Sequence, residues 1–144
     1  MDIVTQKVIF VYRDLEDQIA YEGIWCDKEG EYYRIKNIPF YAPNIAYDDL
    51  ISVEVDDNEL FFEDLIQESG NSTIQMIFFE DEFQKKILND ILELNCSWEG
   101  SDNPRYFSIN VPKDVNYTPV KEILEIWLEK NVLDYKESCL AHNY

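Results

Sequence analysis

The sequence predicts an α+β fold in which a small N-terminal β-barrel, or bent antiparallel sheet, precedes a ferredoxin-like β-α-β-β-α-β half. The first half consists of short β-rich runs separated by tight turn signals, which is typical of small, strongly bent sheets. The second half has two apolar stripes at helical spacing placed among four further strands. Apolar residues make up 46% of the 144 residues, enough to fill a core. We therefore expect two subdomains, 1–70 and 71–144, within one compact unit.

The first five predicted strands are β-branched and aromatic runs that end at turn residues. They are expected at residues 8–12, 20–26, 31–35, 50–55 and 60–66. Two of the connections, Asp27-Lys28-Glu29-Gly30 and Asp56-Asp57-Asn58, are typical of hairpin turns. Strands joined this closely are expected to pair with their neighbours in the chain.

The second half alternates strands with two amphipathic helices. Its strands are expected at residues 73–79, 96–99, 106–111 and 132–136. Asp81 is expected to cap a helix whose apolar stripe runs from Phe83 to Leu94. Thr118 followed by Pro119 predicts the start of the second helix, because proline at the first helical position gives up no needed N–H.

One loop of the first half, between the third and fourth predicted strands, is unusually apolar. It is bracketed by Pro39 and Pro43 and carries several aromatic residues, whereas loops are usually polar because their backbone groups need water. We expect its apolar part to be a structural clasp between the N-terminal sheet and the second half. Its exposed tyrosines and the Asp48-Asp49 end remain candidates for contact with a partner.

The net charge of −18 restricts the partners of the chain. There are 30 acidic residues against 12 basic ones, and residues 1–70 carry −12 of the charge. Nucleic-acid binding depends on Lys and Arg that neutralise phosphates, so this chain is expected to repel nucleic acids. A basic protein would instead be attracted and steered into contact.

The cysteine pattern and the lack of long apolar runs predict a protein of a reducing compartment that does not contact a membrane. Cys26, Cys96 and Cys139 form no C-x-x-C pair, and His142 is the single histidine. This pattern argues against zinc or a disulfide scaffold, and we expect no metal or cofactor. No signal-like start and no long apolar run is present, so a cytoplasmic location without membrane contact is expected.

Three runs of the sequence resemble a known family. They are Asn37-Ile38-Pro39-Phe40-Tyr41-Ala42, then Ala46-Tyr47-Asp48-Asp49 before a strand, then Glu68-Ser69-Gly70-Asn71-Ser72-Thr73. Together with the order of strands they resemble the bacterial domain-of-unknown-function family 4265, over nearly the whole chain. The resemblance implies no reaction. Some small acidic proteins of this kind lie beside toxin genes as immunity proteins.

The chain departs from the pattern of that family at three positions. Asp48, Asn71 and Gln75 stand where the resemblance implies a glycine, a histidine and a basic residue. If the family used that histidine and that base to hold an anion, the site is lost in this chain.

Two acidic stretches are candidates for chemical sites. Asp56-Asp57-Asn58-Glu59 lacks the alternating ligands and the glycine of a calcium loop, so a solvated hairpin tip is favoured. Asp48 and Asp49 are adjacent, and adjacent strand residues point to opposite faces, so a turn or capping role is favoured over acid–base chemistry. Asp49 is expected to bind the backbone of the Pro39–Pro43 loop.

For the other candidate site residues, a structural role is favoured over a chemical one. Ser69 and Ser72 around Gly70 resemble an anion nest, but the surrounding negative charge favours a plain turn. Cys26 and Cys96 have no base to lower a thiol pKa, so buried filler is favoured over a nucleophile. The tryptophans Trp25, Trp98 and Trp127 are expected in the core rather than in a ligand cage.

With no catalytic set, we expect a non-enzymatic, acidic protein-binding module. The hypothesis is an immunity or antitoxin protein that occludes a basic, nuclease-type toxin. Its contact residues are predicted to be Tyr41, Tyr47, Asp48, Asp49, Asp56, Asp57, Glu59, Glu63 and Asp64. The alternatives are a ligand-binding or enzymatic cleft lined by Asp49, Ser72 and Tyr33, and a nucleic-acid mimic. A homodimer that forms through an exposed sheet face is a further alternative.

Overall fold

The computed structural model describes residues 3–143, which form nine strands and two helices. The first five strands are β1 (Thr5–Arg13), β2 (Ile19–Glu29), β3 (Tyr32–Ile35), β4 (Leu50–Asp56) and β5 (Glu59–Gln67). The remaining elements are β6 (Ser72–Phe78), α1 (Gln84–Glu93), β7 (Ser97–Gly100), β8 (Tyr106–Val111), α2 (Thr118–Glu129) and β9 (Leu133–Cys139). The predicted α+β class is confirmed.

Strands β1 to β5 close into a ring, called here the strand ring. Neighbours in the chain pair antiparallel, and the ring closes through a short parallel contact in which Val8 lies opposite Leu60. Alternate residues point inward, as the two-residue period of a strand requires. Phe10 stacks on Phe62 inside the ring, with 4.8 Å between ring centroids. The ring therefore has a core of its own.

Strands β6 to β9 form a separate second sheet in the order β7-β8-β6-β9. The core of this half lies between the sheet and the helices, and α2 contributes Val120 and Leu124 to it. Helix α1 contributes Ile87, Leu88 and Ile91 through the i, i+1, i+4 spacing of an amphipathic helix. The two halves thus have two distinct apolar cores.

The two helix starts were predicted with different success. Helix α2 begins at Thr118 with Pro119 in its first turn, as predicted. Helix α1 begins at Gln84 without a side-chain cap, so the expected Asp81 cap is wrong. Asp81 instead forms an ion pair with Arg105 at 3.1 Å, because that guanidinium lies close enough to compete for the carboxylate. Neither helix of residues 3–143 is long and apolar enough to cross a membrane.

The face of the second sheet opposite the helices is polar, yet it is buried. It carries Thr73, Gln75, Ser108, Asn110 and Ser138. Residues 38–46, called here the clasp loop, cover it. The Ser108 hydroxyl donates to the Pro39 carbonyl at 2.5 Å, and the Thr73 hydroxyl donates to the Ile45 carbonyl at 3.0 Å. The buried polar side chains of the second sheet therefore bind the clasp loop. The same loop also contacts the strand ring.

Cysteines and tryptophans differ in how well their burial was predicted. Cys26 and Cys96 are buried, as expected. Trp98 and Trp127 pack against the core of the second half. Trp25 is 50% exposed, so its predicted core position is wrong. The alternate residues of β2 are the ones that point inward, which leaves Trp25 on the outside of the ring.

Candidate functional site

The hairpin formed by β4 and β5, called here the acidic hairpin, carries a dense set of carboxylates. Its exposed acids are Glu54, Asp56, Asp57, Glu59, Glu63 and Asp64. None of the six forms an ion pair within residues 3–143. Asp56 lies directly opposite Glu59, and like charges at such positions repel each other. A basic partner that neutralised these carboxylates would relieve this repulsion.

An exposed apolar surface adjoins the acidic hairpin. The strand registers place Gly23, Ile9, Phe61 and Glu54 in one row across β2, β1, β5 and β4. Around this row, large apolar side chains at least half exposed are Val11, Ile19, Tyr21 and Trp25. These four, with the six carboxylates of the acidic hairpin, are called here the outer ring face. Its apolar centre and acidic border lie on one continuous sheet.

The predicted contact residues divide between three places. The carboxylates from Asp56 to Asp64 lie together on the acidic hairpin. Tyr47, Asp48 and Asp49 lie in the turn at the other end of β4. Tyr41 lies elsewhere again, in a stack of tyrosines. Strand β4 separates Asp48 and Asp49 by its full length from the hairpin tip at Asp56–Glu59, whereas Asp64 lies opposite Ser52 near the start of β4. With Tyr41 in a third place, the nine residues do not form one surface.

Asp49 is a structural residue. It is 2% exposed, and its two carboxylate oxygens accept the N–H groups of Ala46 and Ser69, each at 2.9 Å. The expected capping role is therefore present, although the bound backbone is not that of residues 39–43. Burial raises the pKa of Asp49, and the two backbone hydrogen bonds oppose that rise.

Asp48 and Tyr47 are also occupied. Asp48 has a positive φ of 69° and accepts from the Lys36 ammonium at 2.7 Å. The same ammonium lies 5.4 Å from the Tyr47 ring centroid, within the range of a cation–π contact. This cluster satisfies its own charges and offers little to a partner.

The backbone of the clasp loop is held by a residue that the sequence analysis missed. Glu22 is buried on β2, and its carboxylate accepts the N–H groups of Phe40, Tyr41 and Ala42 at 2.7, 3.0 and 2.9 Å. A signal for it was present in the sequence. Glu22 is an acid on the face of β2 that otherwise points into the core with Ile24.

Two N–H groups of the Ser69–Ser72 turn are bonded within the chain and do not face an anion. The Ser69 N–H donates to Asp49, and the Asn71 N–H donates to the Ser69 hydroxyl. The Asn71 side chain donates to the Tyr47 carbonyl and accepts from the Lys113 N–H. Asn71 therefore ties two loops together at the position where the family pattern implies a histidine.

Ser72 and His142 form a pair that resembles a nucleophile and its base. Ser72 Oγ lies 2.5 Å from His142 Nδ1, and His142 Nε2 donates to the Pro112 carbonyl at 2.8 Å. Ser72 is fully buried and also accepts the Ala141 N–H, so its oxygen is not accessible to a substrate. The pair fastens the C-terminal segment to β6.

A cleft of about 590 Å³ lies between the strand ring and the second sheet. Tyr41 is stacked between Tyr12 and Tyr106, with centroid distances of 5.8 and 5.0 Å. Gln75 lies on the floor of the cleft. The residues expected to line a cleft, Asp49, Ser72 and Tyr33, do not line this one. We call it the tyrosine cleft.

The tyrosine hydroxyl groups of the tyrosine cleft have raised pKa values. Burial, reinforced by the nearby Tyr41 and Glu22, raises the pKa of Tyr106. Burial also raises the pKa of Tyr12, with Glu22 adding to the rise. Neutral phenols present apolar ring faces and hydroxyl groups, which suits binding rather than proton transfer at neutral pH.

The comparisons with known proteins extend over both halves of the chain. A family model described as Domain of unknown function (DUF4265) matches residues 22–135. A solved structure described as "Novel crystal structure of a hypothetical protein from Neisseria gonorrhoeae" is similar at a TM-score of 0.88 and 35% identity. The similarity covers 97% of this chain and 98% of that chain. No curated protein matches this chain.

Proposed function

The chain belongs to the DUF4265 family, a family without an assigned activity, and we propose that this member is an acidic protein-binding module for a basic partner. The observation that carries the proposal is the outer ring face, where carboxylates without an ion pair in residues 3–143 border exposed Tyr21 and Trp25. Aromatic anchors surrounded by a polar rim are the usual anatomy of a protein interface. The net charge of −18 would speed the approach of a basic protein.

The class of partner follows from the chemistry of the carboxylates. An enzyme that acts on nucleic acids holds phosphates with Lys and Arg, and the acidic hairpin would compete for the same side chains. We therefore propose a nuclease-type toxin as the partner and occlusion of its cationic site as the activity. In this proposal the protein is an immunity or antitoxin protein of the bacterial cytoplasm.

The proposed contact set is revised by the structure. Tyr41, Tyr47, Asp48 and Asp49 leave it, because each is engaged within the chain. Tyr21 and Trp25 enter it as the aromatic anchors because they are 65% and 50% exposed, although the Lys7 ammonium lies 5.2 Å from the Trp25 ring centroid.

The fold of the two sheets that support the outer ring face can be described more closely. We interpret the strand ring as a small barrel and the order β7-β8-β6-β9 as the ferredoxin-like arrangement. A closed ring leaves few free strand edges, so the outer ring face would be presented by a rigid surface.

The test begins with a partner that is cross-linked to the protein in its host cell and identified by mass spectrometry. Binding of that purified partner is then measured for the triple variant Asp56→Lys, Asp57→Lys, Glu59→Lys. We expect affinity to fall about 10–100-fold and the salt dependence to flatten, because rim charges act through long-range attraction. The matched control is Glu82→Lys, Glu93→Lys, Glu129→Lys, which makes the same charge change on exposed acids of the second half.

Equal loss of affinity in the two triple variants would show that total charge matters and that the outer ring face does not. A second comparison separates the apolar contribution. Trp25→Ser is expected to weaken binding by at least about 2 kcal/mol, as for an interface hot spot. Ile126→Ser, at an equally exposed position on α2, is expected to leave affinity unchanged.

A further inference from the structure

The tyrosine cleft is lined by a buried side chain with one polar atom that has no partner within residues 3–143. Gln75 is 5% exposed, and its Nε2 has no hydrogen-bond partner within the described chain. Buried polar groups are nearly always hydrogen-bonded, because leaving one unpaired costs free energy. Gln75 lines the cleft, but its Nε2 is closed to solvent, so an acceptor that enters the cleft reaches it when the side-chain amide turns toward the cleft.

The neighbours of Gln75 do not supply that acceptor. Ser108 and Lys136 lie directly opposite it on β8 and β9, and so share its face of the sheet. The Ser108 hydroxyl is already directed to the Pro39 carbonyl. Lys136 is exposed, has only donors, and forms no ion pair within residues 3–143. The floor of the cleft therefore offers two adjacent donors, one of them buried.

The rest of the lining favours a flat and largely apolar body. The stacked Tyr12, Tyr41 and Tyr106 provide aromatic surface along one side. Ile77 on the floor adds an exposed aliphatic contact next to Gln75 on the same face. Aromatic walls with a few placed polar groups are typical of small-molecule sites.

The charges of the lining disfavour an anion. Arg13 and Lys136 are outnumbered by Asp14, Glu16 and Asp134, within a chain of net charge −18. An oxygen acceptor that carries no negative charge, such as an amide or ring carbonyl, satisfies the donors without this penalty.

We propose that the tyrosine cleft binds a small, flat carbonyl compound without negative charge, whose oxygen accepts a hydrogen bond from Gln75 Nε2. The ring system of the compound lies against the tyrosine stack and Ile77. This site shares no residue with the outer ring face, so the two functions are independent.

The test uses nicotinamide and uracil as flat carbonyl compounds and 3-methylpyridine as the control that lacks the carbonyl. The NH₂ signals of the Gln75 side chain are followed by ¹H–¹⁵N NMR during titration of the full chain. We expect saturable shifts of these signals with at least one carbonyl compound, and binding of 3-methylpyridine at least 10-fold weaker. Absence of a saturable shift with both carbonyl compounds, or equal shifts with the control, would overturn the proposal.

Variants provide a second readout. Gln75→Leu is expected to abolish the shifts of the remaining cleft signals while the urea unfolding midpoint stays at or above that of the wild type, because the Gln75 Nε2 group has no partner within residues 3–143. Gln67→Leu, at an exposed position outside the cleft, is the matched control and should bind normally. Ile77→Lys, at a position 37% exposed, blocks the floor without disturbing the core and covers the case that Gln75→Leu does not fold. Wild-type binding by Gln75→Leu or by Ile77→Lys would overturn the proposal.

Discussion

At the scale of single residues, Glu22 explains how an apolar loop can be buried. Three consecutive N–H groups of the clasp loop would lack partners if water were excluded from them. A carboxylate can accept all three, and hydrogen bonds to an ionised group are stronger than neutral ones. The inward-facing Glu22 on β2 therefore fixes the position of the clasp loop, which packs between the strand ring and the second sheet.

Glu22→Gln is expected to destabilise the protein by about 2–4 kcal/mol, because an amide replaces one acceptor oxygen by a donor that faces the loop N–H groups. Urea unfolding followed by circular dichroism measures this free energy. Glu93→Gln, on the exposed end of α1, is the control and should change it by less than about 0.5 kcal/mol. A Glu22→Gln protein as stable as the wild type would show that the loop N–H groups do not depend on the carboxylate charge.

At the scale of elements, the acidic hairpin depends on a two-residue turn. Asp57 and Asn58 connect β4 to β5 with φ values of 50° and 66°. Positive φ at both central positions is the signature of a type I′ turn, whose twist matches that of the flanking strands. The turn places Asp56 opposite Glu59 and so brings the carboxylates of the two strands together.

Asn58→Gly is expected to raise the free energy of unfolding by up to about 1 kcal/mol, since glycine adopts positive φ without strain. Asn58→Val is expected to lower it by about 1–2 kcal/mol, because a β-branched residue is strained there. Thermal unfolding of the two variants beside the wild type measures both effects. Identical midpoints for all three proteins would contradict the turn assignment.

At the scale of the whole molecule, the burial of thiols couples stability to alkaline pH. Burial raises the pKa of Cys26 to about 12 and that of Cys96 to about 11, from an ordinary value of 9.0. Burial likewise raises the pKa of Cys139 to about 11, with Asp49 adding to the rise. The folded chain therefore keeps protons that the unfolded chain releases above pH 9, and stability falls as the pH rises through that range.

The free energy of unfolding is expected to fall between pH 9 and 11 by about 1.4 kcal/mol per pH unit for each thiol that stays protonated in the folded state. Urea unfolding at a series of pH values measures the slope. Cys26→Ala should lower the slope, because one of the thiols is removed. A slope that Cys26→Ala leaves unchanged would show that Cys26 ionises equally in both states.

Much of the fold was predictable because it depends on local patterns. Runs of β-branched and aromatic residues between turn signals predicted the strands, and the two apolar stripes predicted the helices. The predicted Asp81 cap of α1 was wrong because Arg105, distant in sequence, binds Asp81. The position of Trp25 was missed because both faces of β2 are apolar, and periodicity cannot say which face of such a strand is inside.

The candidate sites were less predictable than the fold. The carboxylates of the acidic hairpin are adjacent in sequence, so their clustering followed from one turn. Tyr12, Tyr41, Gln75 and Tyr106 come from four separate segments, and no local pattern connects them. Their assembly into a cleft depends on how the clasp loop lies on the second sheet.

The sequence by itself determined the class of fold, the order of its elements, the strong negative charge and its excess in the first half. These properties are sums over the chain or depend on neighbours a few residues apart. Only the tertiary structure decided that the ring closes, that Tyr21 and Trp25 face outward, and that Gln75 Nε2 has no partner among the described residues beside the cleft. The physical reason is that burial and hydrogen-bond partners are set by contacts between residues that are distant in the chain.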